Sequence, residues 1–300
     1  MSLRLQRLVV LGVGLIGGSA ALALKSRGAV GEVVGVGRTR ANLDEALRAG
    51  VIDRALTLED RWTDEVSRAD CVLVAAPVAQ FPALFRAMAP ALPERAWVTD
   101  AGSTKQEVVA AARAHLRDAF PRFVPAHPIA GTERSGAAAA FATLYEGRQV
   151  ILTPEPDTDP AAVASVTALW EACGARVATL TAARHDSVFA AVSHFPHMLA
   201  AAYMAGIAGR PDAGEVTSYA GTGFRDVTRI AAASPEMWRD IGIANRAALL
   251  DEIAAFRGPL DALEAALRDG DASKLEALLA VAAWARRSWA AGREDRDAVE

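Results

Sequence analysis

Leu8-Val9-Val10-Leu11-Gly12-Val13-Gly14-Leu15-Ile16-Gly17-Gly18-Ser19 decides the fold of this chain. A short apolar run with β-branched residues passes into G-x-G-x-x-G and then into an apolar helix, the order a strand, a tight turn and a helix require. Gly12 permits the turn, Gly14 lets the backbone approach a pyrophosphate, and Gly17 allows the helix to pack closely on the strand. The anion would then face the helix N-terminus, so Gly12, Gly14, Leu15, Ile16 and Gly17 are candidate dinucleotide-binding residues. On its own the motif is equally a tightly packed strand-helix turn. A second strand expected at Glu32 to Val36 supplies the context that favours the nucleotide.

Working outward, strands are expected at Leu8 to Leu11, Glu32 to Val36, Cys71 to Ala75, Trp97 to Thr99, Phe123 to Pro125, Gln149 to Thr153 and Arg176 to Thr179, alternating with amphipathic helices. That alternation predicts an α/β Rossmann-type doubly wound sheet over residues 1–182. Beyond about residue 184 the β signal stops. Leu249, Leu250, Ile253 and Phe256, then Leu260, Leu263 and Leu267, recur at helical spacing, so residues 183–300 are expected to be all-helical. The proline-rich piece from Thr153 to Pro160 reads as a loop inside the first domain.

Composition excludes several classes. At 300 residues, 52% hydrophobic and 23% charged, the chain can bury two cores and is not disordered. A formal charge of -4 without a lysine-arginine run gives no basis for nucleic-acid or anionic-membrane binding. Arg4 and Arg7 before Leu8 to Leu24 imitate a secretion signal, but the glycines inside that stretch favour strand, turn and helix; no other segment approaches a membrane span. Cys71 and Cys173 lack ligand spacing and read as small buried hydrophobes, which suits a reducing, cytoplasmic setting.

The second strand ends Gly35-Val36-Gly37-Arg38-Thr39-Arg40. NAD-preferring sites place an acid about twenty residues past the third glycine, to accept from the ribose hydroxyls. Here there is none, and Arg38, Thr39 and Arg40 suit a 2′-phosphate, each charge-assisted bond contributing roughly 1.5 to 3 kcal/mol. NADP is therefore the expected cofactor, with NAD as the alternative; Ala76 and Pro77, after the strand from Cys71, should border it. The bland reading of the arginines is a solvated loop pair.

Further motifs border the same crevice. In Asp100-Ala101-Gly102-Ser103-Thr104-Lys105-Gln106-Glu107, Ser103 reads equally as a helix cap, paired with Gln106, or as a crevice hydroxyl. His127, in His127-Pro128-Ile129-Ala130-Gly131-Thr132-Glu133, precedes a proline and should sit where the strand from Phe123 runs out. It is a candidate base or a satisfied loop histidine. Ser193-His194-Phe195-Pro196-His197 begins or interrupts an apolar helix with two histidines sharing a face, and no third ligand is spaced for zinc. Gly221-Thr222-Gly223-Phe224-Arg225-Asp226-Val227-Thr228-Arg229-Ile230 turns into a short helix that sets Arg225 and Arg229 one turn apart, with Asp226 able to brace Arg229: a carboxylate fork or a surface ion pair. Trp238 is expected to pack.

Taken in order, G-x-G-L-I-G-G-S, D-x-G-S-x-K, H-P-I-A-G-T-E, S-H-x-P-H and G-x-G-F-R-D-x-T-R-I span residues 12–230 and together resemble the prephenate/arogenate (cyclohexadienyl) dehydrogenases of tyrosine biosynthesis. The resemblance implies oxidative decarboxylation of prephenate or arogenate, with hydride passing from ring carbon 4 to the nicotinamide, and a helical domain that makes a homodimer. It implies His127 as the catalytic histidine, Ser103 as its hydrogen-bonding neighbour, and His197 and Arg229 as substrate-binding residues. His194, Gly223 and Thr132 belong to the same motifs, and Glu133 would tune the pocket. Some members carry an added regulatory or fused mutase domain; with the sequence ending near its last expected helix, none is expected here. Two other readings stay open: a two-domain NADP-dependent hydroxyacid or imine oxidoreductase, and a non-catalytic NADP-sensing protein.

Overall fold

The apolar runs become strands because they are covered on both faces, which is why they read as nearly continuous hydrophobic segments rather than alternating ones. In the computed structural model, which describes residues 3–132 and 134–298, β1 (Leu5–Leu11) leads through the glycine turn into α1 (Leu15–Ser26). Then follow β2 (Val30–Gly37), α2 (Arg40–Arg48), β3 (Arg54–Thr57), α3 (Thr63–Val66), β4 (Cys71–Val74), α4 (Phe81–Met88), β5 (Trp97–Asp100), α5 (Gln106–Leu116) and β6 (Phe123–Val124). These strands form one parallel sheet in the order β3-β2-β1-β4-β5-β6. The order reverses between β1 and β4, and ligands of such sheets bind outside the carboxyl ends at that switch point.

Two features depart from the expected sheet. β3 was not among the expected strands, since Arg-Ala-Leu-Thr at a sheet edge offers almost no apolar signal. The strand expected from Phe123 to Pro125 stops at Val124, and the chain re-enters β structure as β7 (Ala126–Pro128). With β8 (Gln149–Leu152) and β9 (Arg176–Thr179), β7 builds a second, three-stranded sheet in which β7 and β8 are antiparallel. His127 therefore does not follow a strand; it lies inside β7, opposite Ile151. Proline at 125 has no N–H for a continued ladder and helps divide the two strands. Between β8 and β9 runs α6 (Pro160–Ala172), capped by Asp159, whose carboxylate accepts from the Ala161 N–H at 2.8 Å.

After β9 the described residues are helical: α7 (Ala182–Phe189), α8 (Phe195–Ala208), α9 (Ala213–Ser218), α10 (Thr222–Thr228), α11 (Pro235–Ala244), α12 (Arg246–Asp269) and α13 (Ala272–Ala298). One compact unit comprises Met1–Ala248 and a second Leu249–Glu300, so α7 to α11 fold with the sheet. Within the second unit Leu250, Leu260, Leu267, Leu279, Val281 and Trp284 are exposed, 50% to 68% of each. The run Ala182–Ala208 is long and apolar enough to cross a membrane by length and composition, which the sequence reading did not anticipate. It nevertheless carries a buried aspartate and two buried histidines, His185 and His194, hydrogen-bonded to neighbouring side chains.

Candidate active site

The glycine turn forms the floor of a groove at the switch point. Gly12 has φ +104°, and a Cβ there would lie 2.6 Å from the Ala75 carbonyl, so close approach of β1 to β4 requires glycine. At Gly14 a Cβ would meet nothing within 4 Å, so this position faces open groove. Gly14 is also the N-cap of α1 and supplies no side chain, leaving the first helical amides uncapped for an anion. Gly17 packs against the backbone of Gly12 and the side chain of Val10. Gly12, Gly14, Arg38, Thr39, Ala76 and Pro77 all line the groove.

Three expected cofactor residues sit differently. Leu15 is buried in the core, and Ile16 is half-buried, its carbonyl accepting from the Tyr145 hydroxyl at 2.6 Å. Their backbone, at the start of α1, is what remains to meet a phosphate. Arg40 turns along its own helix to Asp44 at 2.8 Å and is not among the groove-lining residues. Arg38 reaches Glu236 on α11 at 3.3 Å, while Thr39 is the N-cap of α2 without a side-chain capping bond. Asn42, which the sequence reading passed over, donates to the Val13 carbonyl at 2.7 Å and accepts from the Ala137 N–H at 2.9 Å. It ties the glycine turn to the segment after the H-P-I-A-G-T-E motif.

A second group of residues converges on His127. Nδ1 of His127 lies 2.8 Å from Nε2 of His185, whose own Nδ1 lies 2.8 Å from Asp186 Oδ1. Phe189, one turn beyond His185 on α7, packs its ring 4.8 Å from the imidazole of His127 and 4.5 Å from that of His185. The Asp186 carboxylate also accepts from the backbone N–H groups of Lys105 and Gln106, each at 2.8 Å. Those amides open α5, so the cap comes from a residue 80 positions away; the capping box expected of Ser103 and Gln106 does not form. The Ser103 hydroxyl makes no hydrogen bond among the described residues, though its backbone lies beside His194. Asp100 and Lys105, both fully buried, pair through Oδ2 and Nζ. Lys105 also donates to the Ala126 carbonyl at 2.7 Å, and Asp100 Oδ1 accepts from the Ala126 N–H at 3.0 Å. The D-x-G-S-x-K motif thus clamps the residue before His127 on both its polar groups.

Electrostatics follow from burial. Burial, with His185, Lys105 and His194 nearby, holds His127 well below the usual imidazole range. Burial lowers His185 too, against the pull of Asp186. Asp186 is pushed up by burial, but its bonds to His185, Gln106 and Lys105 outweigh this and keep it ionised, below the usual carboxylate range. His194, also lowered by burial, comes down to about 4.

Of the histidine pair on the helical wall, His194 ends a π turn, Ala190–His194, and His197 lies in the first turn of α8, where Pro196, lacking an N–H, interrupts the helical ladder. Nδ1 of His194 lies 3.0 Å from Asn245 Nδ2, and Nε2 is buried without a hydrogen-bond partner among the described residues. His197 stacks on Trp238 at 3.7 Å and 19°, its Nδ1 donating to the Ser193 carbonyl at 2.9 Å. Trp238 also meets His194 edge-on at 6.1 Å, so both histidines do face one ring. The Arg229 charge lies close enough to lower His197 further. Arg225 and Asp226 pair at 3.8 Å on the surface. Gly223 is exposed in α10; Thr132 is exposed, its hydroxyl accepting from the Arg134 N–H at 3.2 Å. Glu133 lies outside the described residues. No group of three or more His, Cys, Asp or Glu able to hold a metal occurs among the described residues.

A parallel dinucleotide-binding sheet with a half-buried, neutral histidine beyond its carboxyl edge defines a nicotinamide-dependent oxidoreductase. Comparison with known proteins then gives the family. Residues 20–179 match the prephenate dehydrogenase nucleotide-binding domain, and residues 181–281 the prephenate dehydrogenase dimerization domain. The chain is 36% identical to a cyclohexadienyl dehydrogenase of Zymomonas mobilis, over 89% of this chain and 90% of that one. It is 35% identical to a prephenate dehydrogenase of Bacillus subtilis, over 89% and 72%. The crystal structure of prephenate dehydrogenase from Aquifex aeolicus, in complex with hydroxyphenyl propionate and NAD+, superposes with a TM-score of 0.87 at 34% identity, covering 96% of this chain and 99% of that one. The chain belongs to the prephenate dehydrogenase family.

Proposed function

We propose that this protein oxidatively decarboxylates a cyclohexadienol carboxylate, prephenate or arogenate, in tyrosine biosynthesis, with NADP as the preferred hydride acceptor. The observation that carries the reading is His127: a neutral imidazole fixed through Nδ1 on β7, in a chain of this family. The nicotinamide, when bound, supplies the hydride acceptor. His127 takes the proton of the ring hydroxyl; once that carbon is a ketone, loss of carbon dioxide restores an aromatic ring. General-base assistance of this kind contributes roughly 100- to 10,000-fold. Ser103 hydrogen-bonds near the reacting hydroxyl. Arg229 and His197 hold the substrate carboxylate, and His194, Gly223, Thr132 and Glu133 complete the wall.

For the cofactor, the uncapped start of α1 at Gly14 to Gly17 receives the pyrophosphate. The preference for NADP rests on Arg38 and Thr39 in the groove and on the lack of an acid at the end of β2. Residues 1–182 serve the nucleotide and residues 183–300 the substrate and a homodimer, the latter favoured by the exposed leucines and Trp284 of α12 and α13. The two free, buried cysteines suit a cytoplasmic setting, and neither nucleic acid nor membrane is needed for activity. Purified protein is to be assayed with prephenate and with arogenate, each with NAD and NADP, following reduced cofactor and carbon dioxide. Equal release of both products with at least one substrate, and a higher kcat/KM with NADP, is expected. Reduction without carbon dioxide, or no turnover at all, removes the reading; preference for NAD removes only the role of Arg38 and Thr39.

A further inference from the structure

We infer that the Asp186–His185 pair is a positioning device that fixes which ring nitrogen of His127 carries hydrogen, leaving the Nε2 lone pair as the reacting base. The inference rests on the function proposed for His127 and adds two residues to it. It follows from counting donors along a connected line of hydrogen bonds.

The line starts at the carboxylate. Asp186 accepts two backbone amides and lies 2.8 Å from His185 Nδ1. An ionised carboxylate only accepts, so Nδ1 of His185 must carry the hydrogen. Buried without exposure, and with Lys105 nearby, His185 is neutral, and a neutral imidazole has one N–H. Its Nε2 is therefore an acceptor. The atom 2.8 Å away is Nδ1 of His127, which must then be the donor. A neutral His127 with hydrogen on Nδ1 has its lone pair on Nε2, directed away from His185. If His185 were instead protonated, His127 would accept through Nδ1, its hydrogen would sit on Nε2, and it could not serve as a base.

The first link is rigid. α5 fixes the Asp186 carboxylate through its opening amides, and Asn245 Nδ2 donates to the Asp186 carbonyl at 2.9 Å. Phe189 packs on both imidazoles. The arrangement has the logic of a base oriented by a third group, with a second histidine between carboxylate and base. Neither His185 nor Asp186 needs to touch the substrate.

Nitrogen-15 NMR of histidine-labelled, ligand-free protein reads the tautomer directly. Wild type is expected to show His127 with hydrogen on Nδ1, and hydrogen on Nε2 in that spectrum overturns the inference whatever the activity. His185→Leu removes the acceptor: His127 should shift toward the Nε2–H form, and kcat with prephenate or arogenate should fall about a hundredfold or more, with KM changed less than about threefold. His185→Gln can present a carbonyl oxygen near the former Nε2; it should restore the Nδ1–H tautomer and bring kcat to within about tenfold of wild type. Wild-type kcat in folded His185→Leu also overturns the inference. The wild-type spectrum decides the matter even where a variant fails to fold. An inactive wild type with His127 in the Nδ1–H form would sink the proposed reaction while leaving the hydrogen-bond assignment intact.

Discussion

His127 and His194 differ in what burial does for them. For His127 the consequence is chemical: its ring stays neutral at neutral pH, so kcat should be level above pH 6.5 and fall only as pH drops through its depressed pKa. His127→Asn should cut kcat by roughly 100- to 10,000-fold while KM changes little; near-normal turnover in steady-state assays removes it as the base. For His194 the consequence is stability. Its folded pKa of about 4 lies below the unfolded value, so the contribution is complete above pH 6.5 and is lost as pH falls toward 4. The amount is about 3 kcal/mol. Urea unfolding between pH 7.5 and 4.5 should therefore lose less stability in His194→Gln than in wild type; equal losses would show that His194 contributes no such term.

At the scale of elements, two glycines two residues apart carry separable tasks. Gly12→Ala puts a Cβ against the Ala75 backbone at positive φ, costing about 1 to 3 kcal/mol, so Tm should drop along with cofactor binding. Gly14→Ala meets no protein atom; Tm should hold while the Kd for NADPH, measured by titration calorimetry, rises. The same scale explains what the sequence could and could not tell. The glycine turn, β1, β2, β4 and β5 were legible because a buried parallel strand needs an apolar run and a turn needs glycine. β3 was not, being short and at an edge. The move from β6 to β7 was missed because Phe123 to His127 reads as one extended piece, and only pairing with β8 shows that its two ends belong to different sheets. His185 and Asp186 were missed for a related reason: adjacent on an ordinary helix, they gain meaning from partners 58 and 80 residues away. No local spacing encodes that.

For the whole molecule, the exposed apolar side chains on α12 and α13 argue for association. Light scattering after gel filtration should give about twice the 31.5 kDa chain mass, and Leu279→Asp should shift the protein toward half that value. A wild-type mass of one chain would remove the homodimer.

The ion pair between Arg38 and Glu236 ends on the helix that carries Trp238, on which His197 stacks. On the function proposed above, an Arg38 replacement made to alter coenzyme choice should also loosen a tether to the wall assigned to the substrate. Because an exposed pair is worth about 1 kcal/mol at most, the side effect should be small, a change in substrate KM of less than about fivefold. It would make coenzyme preference and substrate affinity heritable together, through one guanidinium.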